Sequence, residues 1–371
     1  MDNKNSNIEK LNEIIKNLEN KEFKLYFFTL DTMGNPVASV ANIYEHVKVL
    51  NNLGYKAYIL HEKNNYLKYS TEENNGIDYW LGEEYSKLPH ASIESKELTV
   101  GAEDFLIIPE VFSSMMQQKE VINLPCKKIV FSQSQEYIFE LLPLGRRWTD
   151  FGFNDVITTS QNQADYLKSL FPNIKTYISS VSIPEYFKPS DKPKKPVVAI
   201  HCRNQMDTTK IFKSFYLKYP MFKWLSFKEL RGLPRKTFAK ELSESCLAVW
   251  VDDISSFGTF PIEAMKCNTP VIGKIPNTIP EWMVEKDGDN LKIKENGIWL
   301  DNTNAIVDYI NDYLSVWLED NEPKHILENM ESMKDKYTEE QQIETIEKVF
   351  GGLTKERVEY FKTMITNLKE D

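Results

Sequence analysis

The chain has 371 residues, 41% of them apolar and 12% aromatic, enough for two domains with real cores. Lys+Arg 45 against Asp+Glu 55 leaves a formal charge of −10, which argues against nucleic acid or an anionic membrane as the main partner. No run of about 18 apolar residues occurs, so no transmembrane segment is expected. The polar amino terminus, MDNKNSNIEK, lacks the apolar region of a secretory signal, and a cytoplasmic location is expected. Cys126, Cys202, Cys246 and Cys267 show no metal-ligand spacing and read as reduced core thiols. The five histidines show none either, so no metal site is expected.

Residues Ile8 to Leu18 alternate apolar and charged residues at helical spacing. KLYFFTL, Lys24 to Leu30, is a strand, followed by the turn Asp31 to Pro36. A helix from about Ser39 to Leu53 and a strand from Tyr55 to Leu60 complete a βαβ unit. Glu62 to Leu98 is polar and irregular and reads as an insertion. Strands at Asp104–Ile108 and Lys128–Phe131 end in Pro109-Glu110 and in Ser132-Gln133-Ser134-Gln135. Pro184, Pro189, Pro193 and Pro196, with lysines between them, read as an interdomain linker. PVVAIHC, Pro196 to Cys202, opens a second domain as a strand; Arg203 lies just past its end and Lys210 on the helix that follows. Met221–Phe227 is the next strand and Pro234–Ser243 the next helix.

The stretch AVWVDDISSFGTFPIEAMKCNTPVIG carries the strongest local signal. An apolar strand ends at Val251, and Ser, Asp and Gly mark a turn from Asp252 to Gly258. Pro261 suits the first turn of a helix that continues through Glu263. Asn268-Thr269-Pro270 stops it before the strand Val271-Ile272-Gly273. In open α/β sheets ligands bind at the carboxyl ends of strands. N–H groups near Gly258, Thr259 and Phe260 would there face an anion, and Glu263 could accept bonds from a sugar's hydroxyls. Beyond Trp299 helices are expected at Ala305–Leu318, Lys324–Lys334, Glu339–Phe350 and Lys355–Leu368.

Phe257, Gly258, Glu263, Ala264, Met265, Thr269, Pro270 and Val271 follow, in order, the donor-binding signature of the retaining GT-B glycosyltransferases of family 4. Ile279-Pro280-Glu281 with Asp287-Gly288 resembles that family's next element. From Asp155, DVITTSQNQADYLKSLF and IKTYISSVSIPEYFKP resemble the stretch that closes its first domain. The resemblance covers about residues 23 to 350 and departs at one position: Ser255 stands where the signature has its first glutamate. It implies an α/β GT-B fold, two Rossmann-like domains facing each other across a cleft. Residues 1–190 would take the acceptor and 191–345 the nucleotide-sugar donor, with a helix at 346–371 crossing back to the first domain.

The implied activity moves a sugar from a nucleotide sugar, with retention, to an unidentified glycan, lipid-linked or other acceptor. The nucleotide sugar is a co-substrate, and neither cofactor nor metal is implied. By this resemblance Arg203 and Lys210 hold the diphosphate, with Lys213 as an alternative to Lys210. Ser255, Phe257, Gly258, Thr259, Phe260 and Glu263 line the donor site, Glu263 on the ribose. Gln133 takes the place of a histidine facing the reacting sugar; it can hydrogen-bond there but cannot transfer protons. Gly34 and Asn35 fall in the first βα turn, and Glu110 is the carboxylate nearest the acceptor. Ser255 carries no charge, and Asp252 and Asp253 are the nearest carboxylates to it. The alternative is a GT-B-shaped binding subunit without catalysis, partnered with an active transferase.

Overall fold

A computed structural model describes residues 2–32, 35–64, 76–287 and 290–370. The chain divides into two units, Met1–Ser180 with Gln342–Asp371, and Val181–Gln341. The first boundary precedes the Pro184–Pro196 segment, which therefore belongs to the second unit and not to a linker between domains ending and beginning at 190 and 191.

Short runs of β-branched and aromatic residues form the strands of the first unit. After α1 (Asp2–Glu19) come β1 (Lys24–Phe28), α2 (Ala38–Asn52), β2 (Lys56–His61), β3 (His90–Ser92), β4 (Phe105–Pro109), β5 (Lys127–Ser132), β6 (Asp155–Thr158), α3 (Gln161–Leu170) and β7 (Lys175–Ile178). All seven strands are parallel, in the order β3-β2-β1-β4-β5-β6-β7. A parallel sheet is covered on both faces, so its strands are apolar on both. Leu25 and Phe27 of β1 pack with Val47 and Leu50 of α2, while Tyr26 and Phe28 pack on the opposite face with Leu106 and Val130.

In the second unit β8 (Lys195–Cys202), α4 (Gln205–Lys218), β9 (Ser226–Glu229), α5 (Arg235–Glu244), β10 (Ser245–Val251), α6 (Thr259–Lys266) and β11 (Val271–Lys274) are followed by a hairpin, β12 (Val284–Asp287) and β13 (Asn290–Ile293). Then come β14 (Ile298–Leu300), α7 (Ile306–Leu318) and α8 (Lys324–Glu331). The parallel sheet runs β14-β11-β10-β8-β9, and every residue of β10, at its centre, is buried. The connection from β8 goes one way to β9 and the next returns to the other side at β10. The carboxyl ends of β8 and β10 thus flank a topological switch point, and those of β1 and β4 flank another in the first sheet.

Three expectations change. The segment 62–98 is not wholly irregular: it adds β3 to the sheet edge, with Ile59 opposite His90. The first half of Met221–Phe227 is a 3-10 turn at Pro220–Phe222, because proline supplies the turn but no ladder donor. The two final helices are one, α9 (Glu339–Glu370), of 32 residues. Gly351 and Gly352 lie within it; each costs about 1 kcal/mol against alanine, which is offset by burial of Ile346, Val349, Phe350, Leu353 and Phe361. All four cysteines are buried free thiols. Among the described residues no helix is long and apolar enough to cross a membrane.

Candidate functional site

Strand β10 ends by delivering two aspartates to the switch point of the second sheet. Asp252 Oδ1 accepts from Arg203 Nε at 2.6 Å, joining the ends of β10 and β8. Asp253 Oδ1 pairs with Lys274 Nζ at 2.7 Å, joining the ends of β10 and β11. Both acids that could stand in for the missing glutamate at Ser255 are therefore engaged with cations. Ser255 is half-buried in the same turn, and its N–H is 3.5 Å from the Asp252 carbonyl.

The turn then reaches Gly258, whose φ of +69° is left-handed. A Cβ at Gly258 would lie 2.9 Å from the Trp250 ring, so glycine is required by both backbone and space. Trp282 Nε1 donates to the Phe257 carbonyl at 2.5 Å and fixes the turn from the other side. Helix α6 starts directly after it, at Thr259. Phe260 is buried and stacked on His201, ring centroids 5.0 Å apart at 19°. Burial keeps the His201 imidazole below its ordinary pKa, the opposing attraction of Asp252 being smaller.

Glu263, one turn into α6, is 3% exposed and 3.1 Å from Arg235 Nη1 at the start of α5. Burial raises its pKa, and the Arg235 guanidinium, which also lies over the Phe187 ring at 5.2 Å, works against that rise. Arg231 Nη2 donates to the Cys202 carbonyl at 2.7 Å, and its Nε to Glu229 at 3.0 Å. The carboxyl edge of this sheet thus gathers Arg203, Arg231, Arg235 and Lys274, each beside an acid. Arg231 and Arg235 were not singled out in the sequence; the signal was RGLPR, two arginines just past a strand end. Lys210 stands elsewhere, in a cavity of about 130 Å3 with Asp207, Ser214 and Lys218 of α4 and Thr303 and Asn304.

Around Gln133 the edge of the first sheet is lined by amides and by side chains that burial shifts towards neutrality. Gln133 uses both ends of its amide: Oε1 accepts from Asn42 Nδ2 at 2.9 Å, and Nε2 donates to the Ser39 carbonyl at 3.0 Å. Glu110 is 3% exposed. Its Oε1 accepts from the N–H groups of Gln133 and Ser134 at 3.0 and 2.5 Å, so it caps the turn after β5 from inside. Burial pushes the Glu110 carboxyl up to about 7, against the pull of those N–H groups. Below them His46 is fully buried and lowered to about 4 by burial. Its Nδ1 donates to the Asn42 carbonyl and its Nε2 accepts from Ser179 Oγ, both at 2.7 Å. Asn35 is exposed, its N–H donating to the Thr32 carbonyl at 3.0 Å. Gly34 and Gly288 lie outside the described residues. A chain of groups absent from the sequence reading completes this edge: Asp31 Oδ1 lies 2.5 Å from His61 Nδ1, and His61 Nε2 lies 2.8 Å from His90 Nδ1.

No family model matches the chain. A curated relative, the Alpha-1,6-glucosyltransferase of Actinobacillus pleuropneumoniae serotype 7 (strain AP76), is 25% identical over 231 residues, covering 62% of this chain. The chain matches 66% of that relative's length. Among solved structures, Anabaena HepE in complex with UDP-glucose superposes with a TM-score of 0.59 at 11% identity, over 89% of this chain and 99% of that one. Sucrose-phosphate synthase from Thermosynechococcus elongatus gives 0.58 at 13%, with the same two coverages. The fold is thereby that of the GT-B glycosyltransferases, as the signature around Gly258 implied.

Proposed function

We propose that the chain is a nucleotide-sugar-dependent glycosyltransferase whose donor binds at the carboxyl edge of the second sheet. The observation that carries this reading is the junction of Arg203 with Asp252 beside the Gly258 turn. It puts a guanidinium and the N–H groups of a helix start at one switch point, where a diphosphate finds both charge and donors. In this reading Asp252 fixes the direction of Arg203, so little reorganisation is needed as negative charge grows on the leaving diphosphate. Arg203 does this work without a divalent metal, and the sugar is transferred with retention.

Glu263 serves the ribose in this account, and Arg235 holds that carboxylate in place until the hydroxyls arrive. Glucose is the first sugar to test, because the curated relative is a glucosyltransferase. The acceptor is an unidentified glycan, lipid-linked or other molecule on the first unit, with Gln133 at its reacting end.

A thermal-shift screen against UDP-, GDP- and ADP-sugars, followed by assay of nucleotide release, tests the proposal. One nucleotide class should raise the melting temperature by mass action and be slowly hydrolysed. Ser255 favours the second reading, a binding subunit, which predicts the same shift with no release. No shift with any nucleotide sugar would contradict both.

A further inference from the structure

The β12–β13 hairpin stands apart from the main sheet and, with the end of α8, encloses a polar cavity of about 230 Å3. Lys292 and Lys294 reach it from the hairpin side and Lys336 from the segment after α8; Glu285 and Glu295 line it too. Three lysines line one cavity in a chain whose formal charge is −10. None of the three forms an ion pair with a described residue, although carboxylates share the same wall. Burial first, and the Lys336 ammonium second, hold Lys294 below its ordinary pKa. Glu285 and Glu281 pull the other way more weakly, so the lysines that line the cavity still have donors to offer an anion.

The remaining wall is pre-set by its own hydrogen bonds. Asn329 Nδ2 donates to the Glu295 carbonyl at 3.1 Å, and Ser332 Oγ to the Asn329 carbonyl at 2.7 Å. Asn296 Nδ2 donates to the Trp282 carbonyl at 3.2 Å, and Trp282 in turn holds the Phe257 carbonyl. Asn296 thus links the cavity, through Trp282, to the turn that carries Gly258.

We propose that this cavity is a binding site, separate from the Gly258 turn, for a small polyol carrying a phosphate monoester. Lys292, Lys294 and Lys336 take the phosphate, each ammonium offering three donors. Glu285 and Glu295, which would repel a bare anion, accept the hydroxyls of the polyol. The volume of about 230 Å3 is below the roughly 300–1,000 Å3 of pockets for drug-sized ligands, which favours a small ligand. A ligand here would press through Asn296 and Trp282 on the Phe257 carbonyl.

Calorimetric titration of the full chain with glycerol 3-phosphate tests the site, with inorganic phosphate and vesicles containing phosphatidic acid as the other two arms. Glycerol 3-phosphate should bind saturably, one per chain, and more tightly than inorganic phosphate. Lys294→Gln and Lys336→Gln, checked for folding by circular dichroism, should each weaken it by about tenfold, the loss of one charge-assisted contact. Arg203→Ala should leave it unchanged, which separates this site from the donor site. The proposal is overturned by no saturable binding, by equal affinity for inorganic phosphate, by binding to vesicles alone, or by loss in Arg203→Ala with the lysine variants unaffected.

Discussion

At the carboxyl edge of the second sheet four cations stand beside acids: Arg203 with Asp252, Lys274 with Asp253, Arg231 with Glu229 and Arg235 with Glu263. At the same edge of the first sheet Gln133 is held by amide and carbonyl groups, Glu110 is shifted towards its neutral form, and His46 is kept uncharged. Both sheets are parallel with a switch point, so topology alone would assign a ligand to each. Chemistry separates them. Cations fixed by acids, all but the buried Glu263 partly exposed, suit a polyanion, because a diphosphate can displace or share those contacts. The largely uncharged surroundings of Gln133 suit hydroxyls, which gain hydrogen bonds without having to shed a counter-ion.

The largest effect should come from removing a cation at the charged edge. Arg203→Ala is expected to lower kcat by about 10²–10³, comparable to losing one oxyanion donor, with a smaller change in KM. Arg203→Lys should recover only part, since lysine lacks the forked contact of a guanidinium. Steady-state kinetics with the active nucleotide sugar decide this, and full turnover in the alanine variant would remove Arg203 from the reaction.

Next in size is the glycine that shapes the same edge. Gly258→Ala places a Cβ at a left-handed φ and 2.9 Å from Trp250. It should destabilise the protein by about 2–4 kcal/mol, from backbone strain and overpacking together. Urea unfolding measures it, and a wild-type midpoint would contradict the packing described.

Glu263→Ala tests whether that carboxylate serves the nucleotide as well as Arg235. Affinity for the nucleotide should fall by about 1.5–3 kcal/mol, the range for a lost charge-assisted hydrogen bond. If calorimetry shows unchanged affinity in a folded variant, Glu263 acts only on Arg235.

The smallest effect sharpens the largely uncharged surroundings of Gln133. Glu110 has its pKa raised from 4.5 to about 7, so between those values the native state holds a proton that the unfolded chain has lost. Stability contributed by this group therefore falls as pH rises through that window and is level above it. Glu110→Gln keeps an acceptor for the Gln133 and Ser134 N–H groups and removes the buried charge. It should flatten that decline and stabilise the protein by about 1 kcal/mol at pH 8. Urea midpoints from pH 5 to 8 report it, and an unchanged pH dependence would mean that Glu110 does not titrate there.

How much of this was legible depended on whether the signal was local. The Gly258 turn was readable because strand end, glycine, helix start and stop lie within one short run. The place of Arg203 at the end of β8 was readable for the same reason, following directly on PVVAIHC. Arg235 was not, because its partner Glu263 lies on another helix and only the fold brings them together. The Asp31–His61–His90 chain joins the turn after β1 to β2 and β3 and left no spacing to notice. Glu110 was visible as a carboxylate at a strand end, but its burial beneath the turn after β5 depends on the pairing of β4 with β5. The continuous helix α9 was missed because Gly351-Gly352 reads locally as a break, while the apolar stripe on both sides decides otherwise.

The central claim is that the charged edge holds a diphosphate. Calorimetry of the full chain with a nucleoside diphosphate and the matching monophosphate, in the base series that binds, tests it most directly. The wild type should bind the diphosphate at least about tenfold more tightly, and Arg203→Ala should erase most of that difference. Equal affinities in the wild type, or a difference that survives in Arg203→Ala, would contradict the account.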